Sequence, residues 1–344
     1  MNKNKPINVL ILSDGLPGHA NQARGLVNWL SRRYAVKSNE LSVKLRYKGL
    51  AQLLLPWLLH HQHSPTTLIS WFYSYPQKEI EKPDLIISAG GNTSFLNVAL
   101  ARDWQIPNIF IGSRRRLYSS DFSAHLTLEP TGQANNIVME LSPTLTNIAV
   151  LLNQGQQLRE TLNIQREQKL YMLALGGDGA GYRYNQESCQ QMSQLMTELS
   201  LRDNCRWILT TSRRTGSVLE KALKQLIDPN LLADAVWWHD NPRKVMNAYM
   251  GAVDCIFISI DSMSMISEAI ASNKPTILLQ PEMASPEPRY QQALDDFYRA
   301  GYCTILPLGS PPPLLKSVNN KSSDAREKLL DKLEEMLSIL KIYP

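Results

Sequence analysis

Short apolar runs rich in β-branched residues recur along the chain, and each closes on a polar, glycine or arginine turn. Asn8 to Ser13 (NVLILS), Pro83 to Ala89 (PDLIISA), Ile106 to Ile111, Leu170 to Leu175 (LYMLAL), Trp207 to Thr211 (WILTT), Cys255 to Ile260 and Thr276 to Leu279 are mostly apolar rather than alternating. Such runs predict strands buried on both faces, and Val236 to Trp238 adds a shorter one. Between them, helical spacing predicts helices over Asn21 to Arg33, Phe95 to Arg102, Cys189 to Leu199 and Val245 to Ala252. In the first, Leu26, Val27, Trp29 and Leu30 form the inward face. A further helix carries Met263, Met265, Ile266, Ala269 and Ile270, opens at Asp261 or Ser262 as N-cap, and ends at Asn273 before Lys274-Pro275. Strand, helix, strand is the parallel crossover unit. The fold class is therefore α/β, with ligands expected at the carboxyl ends of the strands.

The alternation runs to about residue 150, falters over the Gln-rich stretch Ile148 to Gln168, and restarts at Leu170. This predicts an N-terminal Rossmann-like domain over 1–155, a linker over 156–168 and a second Rossmann-like domain over 169–312. Residues 313–344 follow the break at Pro311-Pro312-Pro313. Within them Ser323 to Ile342 is an amphipathic helix, with Leu329, Leu330, Leu333, Met336, Leu337 and Leu340 on one face, expected to pack back on the body. Leu50 to Leu59 is a strongly apolar segment containing Trp57, beside Lys48 and His60, His61 and His63. Two readings stay open for it. It is either an interfacial segment drawn to anionic lipid, or a core helix broken by Pro56.

Composition narrows the classes. At 344 residues, with 43% hydrophobic and 19% charged content, the chain can bury two ordinary cores. Its net charge of +5 is spread thinly, with no long basic tract, so a nucleic-acid partner is not indicated. Cys189, Cys205, Cys255 and Cys303 are scattered, without a CxxC pair or a histidine at ligand spacing, which predicts reduced thiols, no metal site and no cofactor. The N-terminal run NVLIL meets Asp14 without a cleavage signal, and no stretch reaches the roughly 20 apolar residues of a membrane span. The expectation is a cytoplasmic protein, peripheral at most on the inner face of the cytoplasmic membrane.

The chemistry lies in the turns. Asp14-Gly15-Leu16-Pro17-Gly18-His19 follows the first strand; its glycines allow close backbone approach, and His19 can serve as a general base or bind an anion. The alternative is a polar surface histidine. Arg114-Arg115-Arg116 end another strand and suit an anionic acceptor, or a solvated loop. Gly176 to Gly181 offers backbone N–H groups to an anion, and Ser212, Arg213 and Arg214 follow the next strand. Ser262 and Ser264 at a helix N-terminus suit phosphate oxygens, whereas Glu268 can accept hydrogen bonds from a ribose diol. Plain capping and a solvated charge are the bland alternative there.

Four segments, DGLPGHANQARGL, TSRRTG, HDNP and DSMSMISEAIASNKP, together resemble the family named for the plant "elongated mitochondria" fission proteins, whose bacterial members are treated as glycosyltransferases. The resemblance covers nearly the whole chain in order. It implies a GT-B architecture, two doubly wound parallel-sheet domains facing across a cleft. It also implies a nucleotide-sugar donor of the nucleotide diphosphate type, with Ser262, Ser264 and Glu268 at the ribose and phosphates; joined to the turns above, the expected donor set is Gly176, Gly177, Gly179, Ser212, Arg213, Arg214, Asp261, Ser262, Ser264, Met265 and Glu268. His19 becomes the general base. A saccharide or lipid-linked saccharide acceptor of the cell envelope, such as a lipooligosaccharide outer core, would meet Asp14, Gly15, Gly18, Asn21, Gln22, Arg114 and Arg115. Two departures stand out: Asn273 where many relatives have Gly, and Ala89-Gly90-Gly91-Asn92-Thr93 where a more basic loop is expected. The implied reaction is metal-independent transfer with inversion. The rival is a non-catalytic protein acting at a membrane. A nucleotide-sugar epimerase is set aside for want of a dinucleotide fingerprint and a Tyr-x-x-x-Lys pair.

Overall fold

The structure, a computed structural model, describes residues 6–61, 66–75, 81–315 and 322–337. The chain forms two compact units, Met1–Leu145 with Ser323–Pro344, and Thr146–Ser322.

The first unit contains β1 (Ile7–Ser13), α1 (Pro17–Leu30), β2 (Val36–Ser42), β3 (Lys44–Leu45), α2 (Lys48–His60), α3 (Thr66–Ser70), β4 (Tyr73–Ser74), β5 (Leu85–Ala89), α4 (Ser94–Trp104), β6 (Asn108–Ile111), β7 (Ala124–Thr127) and β8 (Asn136–Val138). Six strands form a parallel sheet in the order β2-β1-β5-β6-β7-β8, while β3 and β4 pair separately. The period of two sorts each strand between two cores. Val9, Ile11, Leu85, Ile87, Ile109 and Ile111 face one, whereas Leu10, Leu12, Ile86 and Phe110 face the other, under α2 and α4. Because both faces are covered, the continuous apolar runs are required. The edge strand β2 escapes the sequence pattern, since Lys37 to Glu40 are all exposed.

Two expectations change here. Helix α1 begins at Pro17 rather than Asn21, with proline in its first turn, where a missing N–H costs no intrahelical bond. Helix α2 runs through Pro56 instead of breaking; Ala51, Leu55, Pro56 and Leu59 are buried.

The second unit contains α5 (Ile148–Thr161), β9 (Lys169–Leu175), α6 (Gln186–Asp203), β10 (Cys205–Thr211), α7 (Gly216–Leu226), β11 (Leu232–Val236), α8 (Met246–Ala252), β12 (Cys255–Ser259), α9 (Met263–Ala271), β13 (Thr276–Gln280), α10 (Pro288–Arg299) and β14 (Thr304–Pro307). Its parallel sheet has the order β11-β10-β9-β12-β13-β14, the doubly wound Rossmann order. The expected linker is helical as far as Thr161. Asn147 caps α5 by accepting from the Ala149 and Val150 N–H groups. The helix packs on α8 so closely that a Cβ on Gly251 would fall 1.8 Å from the Leu151 carbonyl oxygen. A contact made by two glycines, Gly155 and Gly251, leaves no apolar period to read. The join between units accordingly falls at Leu145–Thr146 instead of beyond residue 155.

A last helix, α11 (Ser322–Met336), returns to the first unit, where Leu329, Leu330 and Leu333 enter the core beside Leu26 and Leu30. Arg33 fastens it through Glu327 at 2.6 Å and Asp331 at 2.7 Å.

Candidate functional site

In the second unit the crossovers leave β9 and β12 in opposite directions, so the loops after these neighbouring strands open a crevice at the sheet's switch point. The loop after β9 turns through Gly177 at φ 112° and Gly181 at φ 86°, values that favour glycine. A Cβ on Gly177 would fall 2.4 Å from the Arg214 backbone, and one on Gly179 would fall 2.1 Å from Arg214 Nη1. Ser259 at the end of β12 accepts the Gly176 N–H at 2.7 Å, and the Ser212 hydroxyl donates to the Gly176 carbonyl. Thr215 donates to the Leu175 carbonyl at 2.9 Å. The turns after β9, β10 and β12 are thus one bonded structure.

Arg214 crosses it. Its Nη2 lies 2.7 Å from Asp261 Oδ2, and the Asp261 carboxylate is fully buried. Beyond this ion pair neither carboxylate oxygen has a hydrogen-bond partner among the described residues. Burial therefore pushes the Asp261 carboxyl above its usual range, an effect the Ser259 hydroxyl and Arg214 oppose. Of the residues expected to hold a donor, Gly176, Gly177, Gly179, Ser212, Arg214 and Asp261 come together. Arg213 is exposed on the same turn. Ser262 is the N-cap of α9 without a side-chain cap bond, its hydroxyl 3.4 Å from that of Ser264. Met265 and Glu268 are half-buried further along α9. Asn273, just past that helix, adopts φ 60°, a conformation asparagine tolerates better than most residues, so the exchange from glycine disturbs the turn little.

Sequence reasoning missed Glu220, which looks like a surface charge on α7. It is buried and accepts from the Thr211 hydroxyl at 2.5 Å and from the His239 N–H at 3.2 Å. Thr211 also accepts the Trp238 N–H at 2.8 Å. These bonds hold the turn containing the HDNP motif at the carboxyl end of the sheet.

In the first unit, β1 and β5 flank the equivalent switch point. His19 sits in the first turn of α1, with Nδ1 3.0 Å from Asp14 Oδ2. Asn92 donates to the same oxygen at 3.0 Å, and the Tyr73 hydroxyl donates to the Asn92 carbonyl at 2.7 Å. Asp14, expected to meet an acceptor, instead points inward with its side chain 3% exposed, against 36% for His19. A carboxylate on Nδ1 fixes the neutral tautomer that leaves Nε2 as the free base. Gly15 is exposed, while Gly18, Asn21 and Gln22 are half-buried near the start of α1. Arg115 packs over Gly91, with its Nε 2.1 Å from where a Cβ would stand, so His19 and Arg115 cover consecutive glycines. Arg114 donates to the Leu117 carbonyl at 2.6 Å and so shapes its own loop. The glycine–asparagine loop that departs from the family expectation is the one supporting His19.

Residues 17–332 match the family model described as Mitochondrial fission ELM1. The chain belongs to this family. A relative, the uncharacterized protein RP120 of Rickettsia prowazekii, is 22% identical over 80% of this chain and 84% of its own. Among solved structures, MurG of Acinetobacter baumannii matches with a TM-score of 0.52 at 12% identity, over 96% of this ELM1-family chain and 99% of that one. The E. coli ADP-heptose LPS heptosyltransferase II matches with a TM-score of 0.50 at 11% identity, over 97% and 100%. The fold is GT-B. UDP-GlcNAc 2-epimerase of Methanocaldococcus jannaschii shares it, with a TM-score of 0.52 at 13% identity over 96% of this chain and 92% of its own.

Proposed function

We propose that the protein is a metal-independent glycosyltransferase that moves a sugar from a nucleotide diphosphate donor to a cell-envelope saccharide, with inversion. The observation that carries this reading is the bonded set of turns after β9, β10 and β12, with Arg214 laid across glycines at a Rossmann switch point. Departure of a nucleoside diphosphate builds negative charge on its oxygens. Arg214, the N–H groups of the Gly176 to Gly181 turn and the amino end of α9 supply donors for that charge without a cation. Glu268 accepts from the ribose hydroxyls. Held by Asp14 at Nδ1, His19 takes the acceptor hydroxyl's proton on Nε2 as the oxygen attacks the anomeric carbon. Arg115 beside it suits an anionic acceptor.

The test is a melting-temperature series with nucleoside diphosphates and nucleotide sugars, followed by product analysis with and without saccharide acceptors. One diphosphate family should raise the melting temperature in the wild type and in His19→Ala, but not in Glu268→Ala. Transfer to an acceptor should then be lost in His19→Ala. An isomerised donor formed without acceptor would assign the site to epimerisation. No shift with any nucleotide would favour the non-catalytic, membrane-associated reading.

A further inference from the structure

Helix α2 carries two apolar faces, and the core uses one. Ala51, Leu55 and Leu59 are buried against the first unit's sheet, whereas Leu50, Leu53, Leu54 and Trp57 recur at i, i+3, i+4 and i+7 on the exposed side. Leu53 is 60% and Trp57 56% exposed. The Trp57 indole stacks on His61 with centroids 4.9 Å apart, so it is held outward rather than free to fold down. The short β3–β4 pair lies beside the chain's entry into this helix: the Arg46 N–H donates to the Phe72 carbonyl at 2.7 Å, and the neighbouring Trp71 is 78% exposed. Lys44, Arg46 and Lys48 are exposed where the chain enters the helix. No acidic residue occurs in the sequence between Glu40 and Glu79.

We propose that this surface docks on an anionic lipid bilayer. Leucines and a tryptophan on one stripe of a helix match the boundary between headgroups and acyl chains, and flanking cations with no acidic residue in the adjoining sequence match a negative surface. A protein partner or a second copy of this chain would leave that one-sided charge unanswered unless it presented an acidic rim; the exposed surface of α2 presents none. With 13 residues, α2 is about 20 Å long, too short to span the roughly 30 Å hydrocarbon core, so it lies in the interface plane. Among the described residues no helix is long and apolar enough to cross. The inference goes beyond the proposed reaction and does not depend on it.

The experiment is co-sedimentation of the full chain with vesicles of phosphatidylcholine alone or of phosphatidylcholine and phosphatidylglycerol in equal parts. The wild type should pellet with the anionic vesicles, much less with neutral ones, and less as salt rises. Leu53→Ser, Trp57→Ser and Trp71→Ser, at exposed positions, should keep the wild-type melting temperature while each lowers partitioning by about tenfold. Lys44→Gln with Arg46→Gln and Lys48→Gln should abolish the preference for anionic lipid. The proposal is overturned if the wild type stays in the supernatant with both vesicles, or if the serine variants partition like the wild type. It is equally overturned if sedimentation velocity shows a wild-type dimer that Leu53→Ser makes monomeric, which would give the face to a second copy. Lipid binding and nucleotide-induced melting shifts are read separately, so either can fail without the other.

Discussion

The imidazole of His19 rests on Gly90: a Cβ at that position would lie 2.1 Å from Nδ1, and Gly90 adopts φ 82°. The glycine is thus required twice, by its backbone and by the ring above it. Gly90→Ala should displace His19 and lower turnover by about 10²-fold, the cost of a misplacement near 1 Å. Donor-induced melting shifts should survive, because the residues proposed to hold the donor lie in the other unit. Steady-state kinetics beside thermal shifts read both.

The Asp14 carboxylate meets His19 Nδ1 and is turned away from solvent. Asp14→Asn keeps the size of the side chain but can present an amide N–H to Nδ1, which favours the wrong tautomer. Turnover should fall by about 10² to 10⁴, the range of general-base assistance, with the donor KM nearly unchanged. An unchanged rate would remove His19 from the reaction.

Asp261 holds Arg214 at a cost in stability. Its carboxyl is more basic folded than unfolded, chiefly from burial, so the folded state binds more protons once pH rises above the ordinary aspartate range. That penalty grows as pH rises and is complete above the folded pKa. Arg214 is 40% exposed and can hydrate when released. Asp261→Asn should therefore raise the melting temperature by on the order of a few degrees at pH 7.5, with no gain near pH 3.5, while weakening donor binding. Melting curves at the two pH values and a donor titration check both halves.

His125 is a second pH-sensitive group, with the opposite sign. Its Nε2–H donates to the Gly112 carbonyl at 2.7 Å and its buried Nδ1 has no partner among the described residues, so burial holds its pKa below the usual histidine value. Nearby Arg114 adds to this. Above about pH 6.5 both states are neutral and nothing changes. As pH falls below that, the unfolded chain takes the proton first and stability is lost. His125→Gln retains a donor without the titration, so its melting temperature should fall less than that of the wild type between pH 7.5 and 5.5.

Two glycine-to-alanine substitutions should differ in sign. Gly251→Ala drives a methyl into the Leu151 carbonyl at 1.8 Å and should cost about 1–3 kcal/mol or more through overpacking of α5 on α8. Gly49→Ala meets nothing within 4 Å in α2 and should stabilise by up to about 1 kcal/mol. Urea denaturation measures each.

Much of the sheet was legible because strands covered on both faces must be apolar throughout, and the turns that follow them carry the glycines and arginines. Edge strand β2 was not, since a mostly exposed strand needs no apolar period. Glu220 was hidden for the converse reason: on a helix its spacing matches a solvated charge, and only the fold brings Thr211 and His239 to it. The open choice for Leu50 to Leu59 reflected a helix with two apolar faces, of which the core takes one.

The sequence by itself determined the α/β class, the positions of the turns, and the family, because local periodicity and short motifs are properties of neighbouring residues. Tertiary structure alone decided that Asp14 points inward to His19, that Arg214 pairs with Asp261, that α5 belongs to the second unit and that α11 closes the first. Each of these is a contact between residues distant in the chain or a choice of side-chain direction, and both are set by packing, which no local pattern encodes.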